Sequence, residues 1–297
     1  MKTLFFSSLM VFTALAANAA NDCDGSSKNN LRTLALAADE IEAQATSKAK
    51  DERVEIDRTS KEYQQMNAIG VVYPEGKQYL GTGFLVDDCH VLTNAHVAFK
   101  ESVAGSNGVR VHFSVGHSKV KGKQFEYTDI GGKVIEHGEF SSARVKEENS
   151  DWAIIRLDQS IGKKVGFISI YQMDPDKMKN RPVITVGYPG DRTNNAKDLS
   201  KIYGDLSCKL LGMSVYGFEY HTCQATSGQS GSPVMDKGSD GKYYALAMIS
   251  GDNGFSLDRN TKASKSNMAI SLDSGKSDGV VSEGDKIIAA LQADKCE

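Results

Sequence analysis

Hydrophobic positions along the chain follow three different textures. From residue 66 onward, apolar residues gather in short runs: Ala68–Tyr73, Gly83–Val86, Val91–Thr93, Val109–Phe113, Asp151–Leu157, Val183–Val186, Ser232–Met235 and Tyr243–Ile249. Runs of this length, rich in Val, Ile and aromatic residues, predict β-strands. Glycine and acidic clusters separate them, at Gly131-Gly132, Gly190-Asp191 and Asp240-Gly241, and are expected to form the turns. Many short strands with such punctuation predict a β-sandwich or β-barrels. Residues 31–45 differ, with helical apolar spacing in LRTLALAADEIEAQA followed by the charge run Lys48–Arg53. The C-terminus differs again. Ser282-Glu-Gly-Asp285 has the form of a capping box, and Ile287, Ile288 and Leu291 share one face, which predicts a helix over about 283–294.

The first twenty residues carry one charge, Lys2, then an apolar stretch from Leu4 to Ala17 and the small-x-small site Ala17-Asn18-Ala19. This is the pattern of a secretory signal peptide over residues 1–19, too short to serve as a membrane anchor. The residues before Cys23 do not make a lipidation site. Residues 20–60 read as an N-terminal extension or a propeptide removed near Arg53, and residues 61–297 as the main domain. Export implies an oxidising compartment, extracellular or periplasmic. Of the five cysteines, Cys208 and Cys223 are 15 apart on an apparent strand–turn–strand and are expected to pair; Cys23, Cys89 and Cys296 allow one more bridge. No Cys/His ligand spacing suggests zinc.

Composition narrows the classes of function. At 297 residues the chain can bury a large core, and 25% charged with 40% hydrophobic residues is ordinary for a globular protein. A net charge of −3 argues against a general nucleic-acid surface. The chemistry concentrates in Thr226-Ser-Gly-Gln-Ser230-Gly-Ser-Pro233. A serine between glycines can expose its hydroxyl on a tight turn while the N–H groups of Gly228 and Ser230 converge on one point, as an oxyanion hole requires. A serine nucleophile needs a base, and the base an orienting acid. His96, in Leu92-Thr-Asn-Ala-His96, and Asp151, opening Asp151-Trp-Ala-Ile-Ile, are the candidates; the other histidines, at 90, 112, 117, 137 and 221, have no comparable context. The chain order His, Asp, Ser differs from the Ser–acid–His order of α/β-hydrolases, as does the all-β texture.

These pieces resemble a trypsin-like, chymotrypsin-fold serine endopeptidase, in particular the bacterial glutamyl-endopeptidase-like branch. The matching segments are Gly81-Thr-Gly-Phe-Leu-Val86, Leu92–His96, Asp151–Leu157, Val186-Gly-Tyr-Pro-Gly-Asp191 and Gly228-Gln-Ser-Gly-Ser-Pro-Val234, in family order over about residues 66–272. The resemblance implies an all-β fold of two six-stranded β-barrels, the first over about 66–165 and the second over about 166–282, with the C-terminal helix outside. It implies His96 as general base, Asp151 as its orienter, Ser230 as nucleophile, and Gly228 and Ser230 N–H as the oxyanion hole. No metal or organic cofactor is required. The expected partners are protein or peptide substrates of a monomer, with no nucleic acid and no membrane anchor.

Departures from the family pattern carry information too. Where digestive members have an Asp that pairs with a newly freed α-amine, this chain has Gln229, so activity is not expected to depend on such an ion pair. Gln224, six residues before Ser230, is not the Asp that selects Arg or Lys; Ile249 replaces the His of glutamyl endopeptidases before Ser250-Gly251. With Asp252 nearby, Gln224 and Ser250 point to a polar or mixed preference. Two other readings compete: a catalytically silent binding module on the same fold, and a metal-binding or structural secreted β-protein. For the latter, Asp236-Lys-Gly-Ser-Asp240-Gly lacks the distal Glu of a calcium loop, position 247 being Ala, and reads as a hairpin turn.

Overall fold

The computed structural model describes residues 51–76, 81–99, 107–115, 129–138, 150–193, 201–213, 218–252, 267–272 and 282–296. The signal peptide, the predicted helix over 31–45 and Cys23 lie outside the described residues. The first barrel closes in the order β2 (Ile69–Pro74), β3 (Gly81–Leu85), β4 (His90–Thr93), β7 (Ala153–Leu157), β6 (Ile130–His137) and β5 (Arg110–Ser114), with β5 pairing back onto β2. The second closes as β8 (Pro182–Gly187), β9 (Tyr203–Met213), β10 (Phe218–His221), β13 (Asn267–Ser271), β12 (Tyr243–Asp252) and β11 (Pro233–Lys237), with β11 returning to β8. All these pairings are antiparallel. Closure removes the exposed edges that short strands would otherwise leave.

The strand pattern follows from what each face meets. In β6, Ile130, Gly132 and Val134 point inward while Lys133 faces out, the period-2 alternation of a half-buried strand. Gly131-Gly132 was expected as a turn and instead lies inside β6. A Cβ at Gly132 would come within 2.8 Å of the Arg156 carbonyl oxygen and the Ile155 side chain, so close approach to β7, not a chain reversal, calls for glycine there. By contrast β2 and β3 are almost wholly buried, because the barrel interior takes one face and neighbouring segments cover the other. Phe84, Phe113, Trp152, Ile154 and Ile155 fill the first core; Leu210, Val234, Leu246 and Ile249 pack in the second around the Cys208–Cys223 disulfide.

Two further segments complete the folded unit. From Asp51 on, the stretch read as the end of an extension is built into the second barrel. Val54–Glu55 (β1) pairs with β9 opposite Gly204 and Tyr203, Ile56 donates its N–H to Ile202, and its side chain is buried. At the other end, the helix Glu283–Ala293 starts where the cap predicts, with Ser282 Oγ accepting from Asp285 N–H. It buries Ile287, and its ends are held to the first barrel. Trp152 Nε1–H donates to Glu283 at 2.5 Å, Arg156 pairs with Asp294 at 2.6 Å, and Cys89 is bonded to Cys296. Among the described residues, no helix is long and apolar enough to cross a membrane.

Candidate active site

Asp151 lies two residues before β7, and four groups converge on it. The strand β4 ends at Thr93, and Asn94 opens the short helix Ala95–Ala98 in an extended conformation. That turn aims three groups at Asp151. Asn94 Nδ2 donates to its carbonyl at 2.8 Å, the His96 N–H donates to Oδ1 at 2.9 Å, and His96 Nδ1 meets Oδ2 at 2.6 Å. The fourth is Ser250, at the β-bulge between Ile249 and Gly251 in β12, whose hydroxyl donates to Oδ2 at 2.8 Å. The Asp151 side chain is 2% exposed and the His96 side chain 23%. A buried carboxylate so furnished with donors holds the imidazole by Nδ1 and turns Nε2 away from itself. Ser250, expected to line a substrate pocket, thus spends its hydroxyl on Asp151.

Ser230 enters from the second barrel. Its loop is fastened to the first barrel by Thr82 of β3, whose N–H donates to Ser230 O at 2.8 Å and whose hydroxyl donates to Gly228 O, also at 2.8 Å. Tyr188 N–H donates to the same hydroxyl at 3.1 Å, so Thr82 ties three segments together. Within the loop, Gln229 N–H turns back to Thr226 O at 3.0 Å and Gly231 N–H goes to Ile249 O at 2.8 Å. None of the hydrogen bonds among the described residues uses the N–H of Gly228 or of Ser230. Gly228 has φ of +94°, a conformation that costs an L side chain strain. This pair of unspent backbone donors around one serine can receive a developing oxyanion.

The remaining candidates are placed as follows. Gln224 Oε1 accepts the Glu52 N–H at 2.6 Å, and its own N–H donates to Asp205 at 3.0 Å. Asp252 ends β12 opposite Asn267, and nothing is described of its side chain. Ile249 is buried in the second core. Asp236 and Asp240 each have protein partners: Asp236 pairs with Arg181, and Asp240 accepts from Tyr244 OH and Lys242 N–H across a hairpin turn. Asp87, Cys89, His90 and Cys296 bring potential ligand atoms within 4.8 Å, but both sulfurs are consumed by the disulfide.

Sequence reasoning missed Thr82, Asn94 and, above all, Arg53. Its side chain is only 5% exposed and lies beneath the Ser230 loop. It was read as the end of a charge run and as the place near which a propeptide is removed, not as part of the site. Asp191, which Arg53 contacts at 2.6 Å, was read as a turn residue. Burial pushes the Asp191 carboxyl up, but hydrogen bonds from Arg53 and Thr226 outweigh it and hold the group below its ordinary value. Asp51 is held well below the usual carboxylate range, chiefly by its hydrogen bond from Arg53.

A search of curated proteins found no match. Among solved structures, the chain is similar to a Glu endopeptidase in complex with MPD, at 19% identity and a TM-score of 0.52, over 74% of this chain and 90% of that one. It also aligns with the protease Anisep from Arthrobacter nicotinovorans, at 15% identity and a TM-score of 0.47, over 69% of this chain and 90% of that one. At such identity the first likeness shows the fold, two antiparallel barrels of chymotrypsin type. The family assignment comes from the match of residues 81–246 to the trypsin-like peptidase domain. That match covers more than half of the chain, from the strand that carries Thr82 to β12, and by it the protein belongs to the trypsin-like peptidase family.

Proposed function

We propose that the protein is an exported serine endopeptidase that cuts through an acyl-enzyme, with Ser230 as nucleophile, His96 as general base and Asp151 as its orienter. In the first step Ser230 Oγ bonds to the peptide carbonyl carbon while its proton passes to His96 Nε2. The carbonyl oxygen takes the negative charge, and the N–H groups of Gly228 and Ser230 stabilise it, at about 3–4 kcal/mol for each donor. The C–N bond then breaks, and His96 returns the proton to the leaving amine. Water then attacks the ester carbonyl, giving up a proton to His96; the bond to Ser230 Oγ breaks, His96 returns the proton to that oxygen, and the acid is released. Asp151 keeps the imidazole oriented by Nδ1 and stabilises the imidazolium.

The observation that carries this reading is the His96 imidazole anchored at 2.6 Å to a buried carboxylate, and it is supported by the N–H groups of Gly228 and Ser230, which no hydrogen bond among the described residues uses. For substrate choice, a polar or mixed preference before the cut is proposed from Gln224, which stands where an Asp would select Arg or Lys; Ser250 is engaged with Asp151. Ile249 offers no charge to a Glu side chain, so a strict Glu requirement, suggested by the structural neighbour, is not expected. Residues 1–19 are proposed to direct export, which agrees with the two disulfides.

The test is intact-mass analysis before and after a fluorophosphonate, with Ser230→Ala as control. One adduct, lost in the mutant, is the expected result. No adduct on folded protein favours the silent binding module. Cleavage profiling on a denatured proteome then reads the preference, and a strict Glu requirement refutes the polar or mixed assignment.

A further inference from the structure

The guanidinium of Arg53 is used to capacity. Its Nε donates to Asp51 Oδ1 at 3.0 Å and Nη2 to Asp51 Oδ2, also at 3.0 Å, a two-pronged contact. On its other side Nη1 and Nη2 grip Asp191, at 3.1 Å and 2.6 Å. Nη1 also reaches Thr226 Oγ1 at 3.1 Å and Gln229 Oε1 at 3.3 Å; Thr226 opens the turn that presents Gly228 and Ser230, and Gln229 lies between those two. Gln229 Oε1 in turn accepts the Thr226 N–H at 3.0 Å, closing the loop on itself. Arg53 thus joins three pieces: its own segment, the turn after β8, and the loop before the serine.

The segment that carries Arg53 is stitched down on both sides of it. Glu52 N–H bonds to Gln224, Ser207 Oγ donates to Glu52 at 3.1 Å, and Val54–Glu55 pairs with β9. A side-chain cation fixed in this way needs no free chain end. A planar fork with two carboxylates is rigid, whereas an ammonium is a point charge with rotating donors.

We propose that Arg53 is a positioning residue for the peptidase reaction, and that residues 51–56 form a permanent strap holding the Thr226–Ser230 loop in its oxyanion-binding shape. The mature enzyme therefore keeps Asp51–Arg53. Processing stops before Asp51, and cleavage of the bond after Arg53 inactivates the enzyme instead of activating it. This rests on the serine-endopeptidase reading.

The test compares wild type, Arg53→Ala and Arg53→Lys in the full mature chain. Three quantities are read: the rate of fluorophosphonate labelling, kcat and KM separately, and amide exchange in peptides spanning 226–230. Loss of the strap's hold should lower labelling and kcat about a hundredfold in Arg53→Ala, the scale of one misplaced oxyanion donor, with KM changed far less. Exchange at 226–230 should quicken, and millimolar guanidinium should recover about tenfold of the lost rate by refilling the site. Arg53→Lys keeps a cation and the packed stem, so it folds even where the alanine variant does not. It should lose about tenfold, because one ammonium cannot serve both carboxylates and Gln229 together. Labelling of either variant at the wild-type rate overturns the proposal, as does a loss with unchanged exchange at 226–230 and no recovery with guanidinium. A wild type that does not label refutes the catalytic reading itself, and the exchange arm then still decides whether Arg53 holds the loop.

Discussion

Gly228→Ala isolates the geometry on which the catalytic reading depends. The backbone there has φ of +94°, and a Cβ added to it would sit 2.5 Å from Tyr188 O and 3.3 Å from Gly190 N. Positive φ alone costs an L residue about 1–3 kcal/mol. A carbon–oxygen contact of 2.5 Å is well inside normal packing distance, so the loop must move by roughly 0.5–1 Å to relieve it. A displacement near 1 Å in a reacting site costs about a hundredfold in rate, or about 2.7 kcal/mol of activation energy. The expected outcome is therefore a fall of about a hundredfold in kcat on a peptide substrate, together with about 1–3 kcal/mol lost in urea unfolding. Gly241 supplies the control. It has φ of +79° in the β11–β12 turn, and nothing lies within 4 Å of its added Cβ. Gly241→Ala should show the strain cost of about 1 kcal/mol and full activity. If Gly228→Ala keeps kcat within tenfold of wild type, the unspent donors at 228 and 230 are not the oxyanion hole.

Four further outcomes follow from the same structure. Asp151→Asn should lower kcat by about 10⁴-fold while leaving the fold intact, since the amide would favour the wrong imidazole tautomer; stopped assays with the unfolding midpoint as control measure it. Removing the Cys89–Cys296 bridge by double alanine substitution releases a separation of 207 residues and should cost about 5 kcal/mol by chain entropy, read from urea midpoints. The stability gap between wild type and Arg53→Ala should depend on acid. The Asp51 and Asp191 carboxyls lie below their ordinary values when folded, so their contribution is full above about pH 4 and is lost as pH falls through the folded values. A midpoint series against pH that shows no narrowing below that value contradicts the ion-pair account. Gln224→Leu should narrow the ratio of kcat/KM between polar and apolar residues before the cut by about tenfold, the worth of one lost hydrogen bond, and an unchanged ratio removes Gln224 from the pocket.

How much of this was legible in the chain depended on whether the interaction was local. The C-terminal helix was readable because Ser282 and Asp285, three residues apart, carry the cap themselves. Central strands such as β7 and β12 announced themselves by apolar runs buried on both faces. Gly131-Gly132 misled because a glycine pair signals a turn locally, while here the demand comes from Arg156 and Ile155 on the neighbouring strand. The two-residue β1 gave no periodicity at all. In the site, His96, Asp151 and Ser230 sit in recognisable short motifs, but Thr82 acts on a residue 146 positions away and Arg53 on one 176 away. The bridge from Cys89 to Cys296 could not be chosen over Cys23 for the same reason.

The loop from Gln224 to Ser230 carries the proposed pocket at one end and the proposed oxyanion donors at the other. Adjacent residues of one strap grip both ends, Glu52 N–H on Gln224 at 2.6 Å and Arg53 on Gln229 at 3.3 Å. The grips are directional polar contacts, which fail steeply with misalignment, so the loop cannot slide as a soft apolar contact would. Because Glu52 and Arg53 are consecutive, a change that lifts the strap withdraws support from pocket and oxyanion hole in the same motion. Selectivity and rate should then fall together when the strap is cut, whereas a defect in His96 or Asp151 lowers rate alone. That difference separates loss of the strap from loss of the catalytic pair in any inactive form of the enzyme.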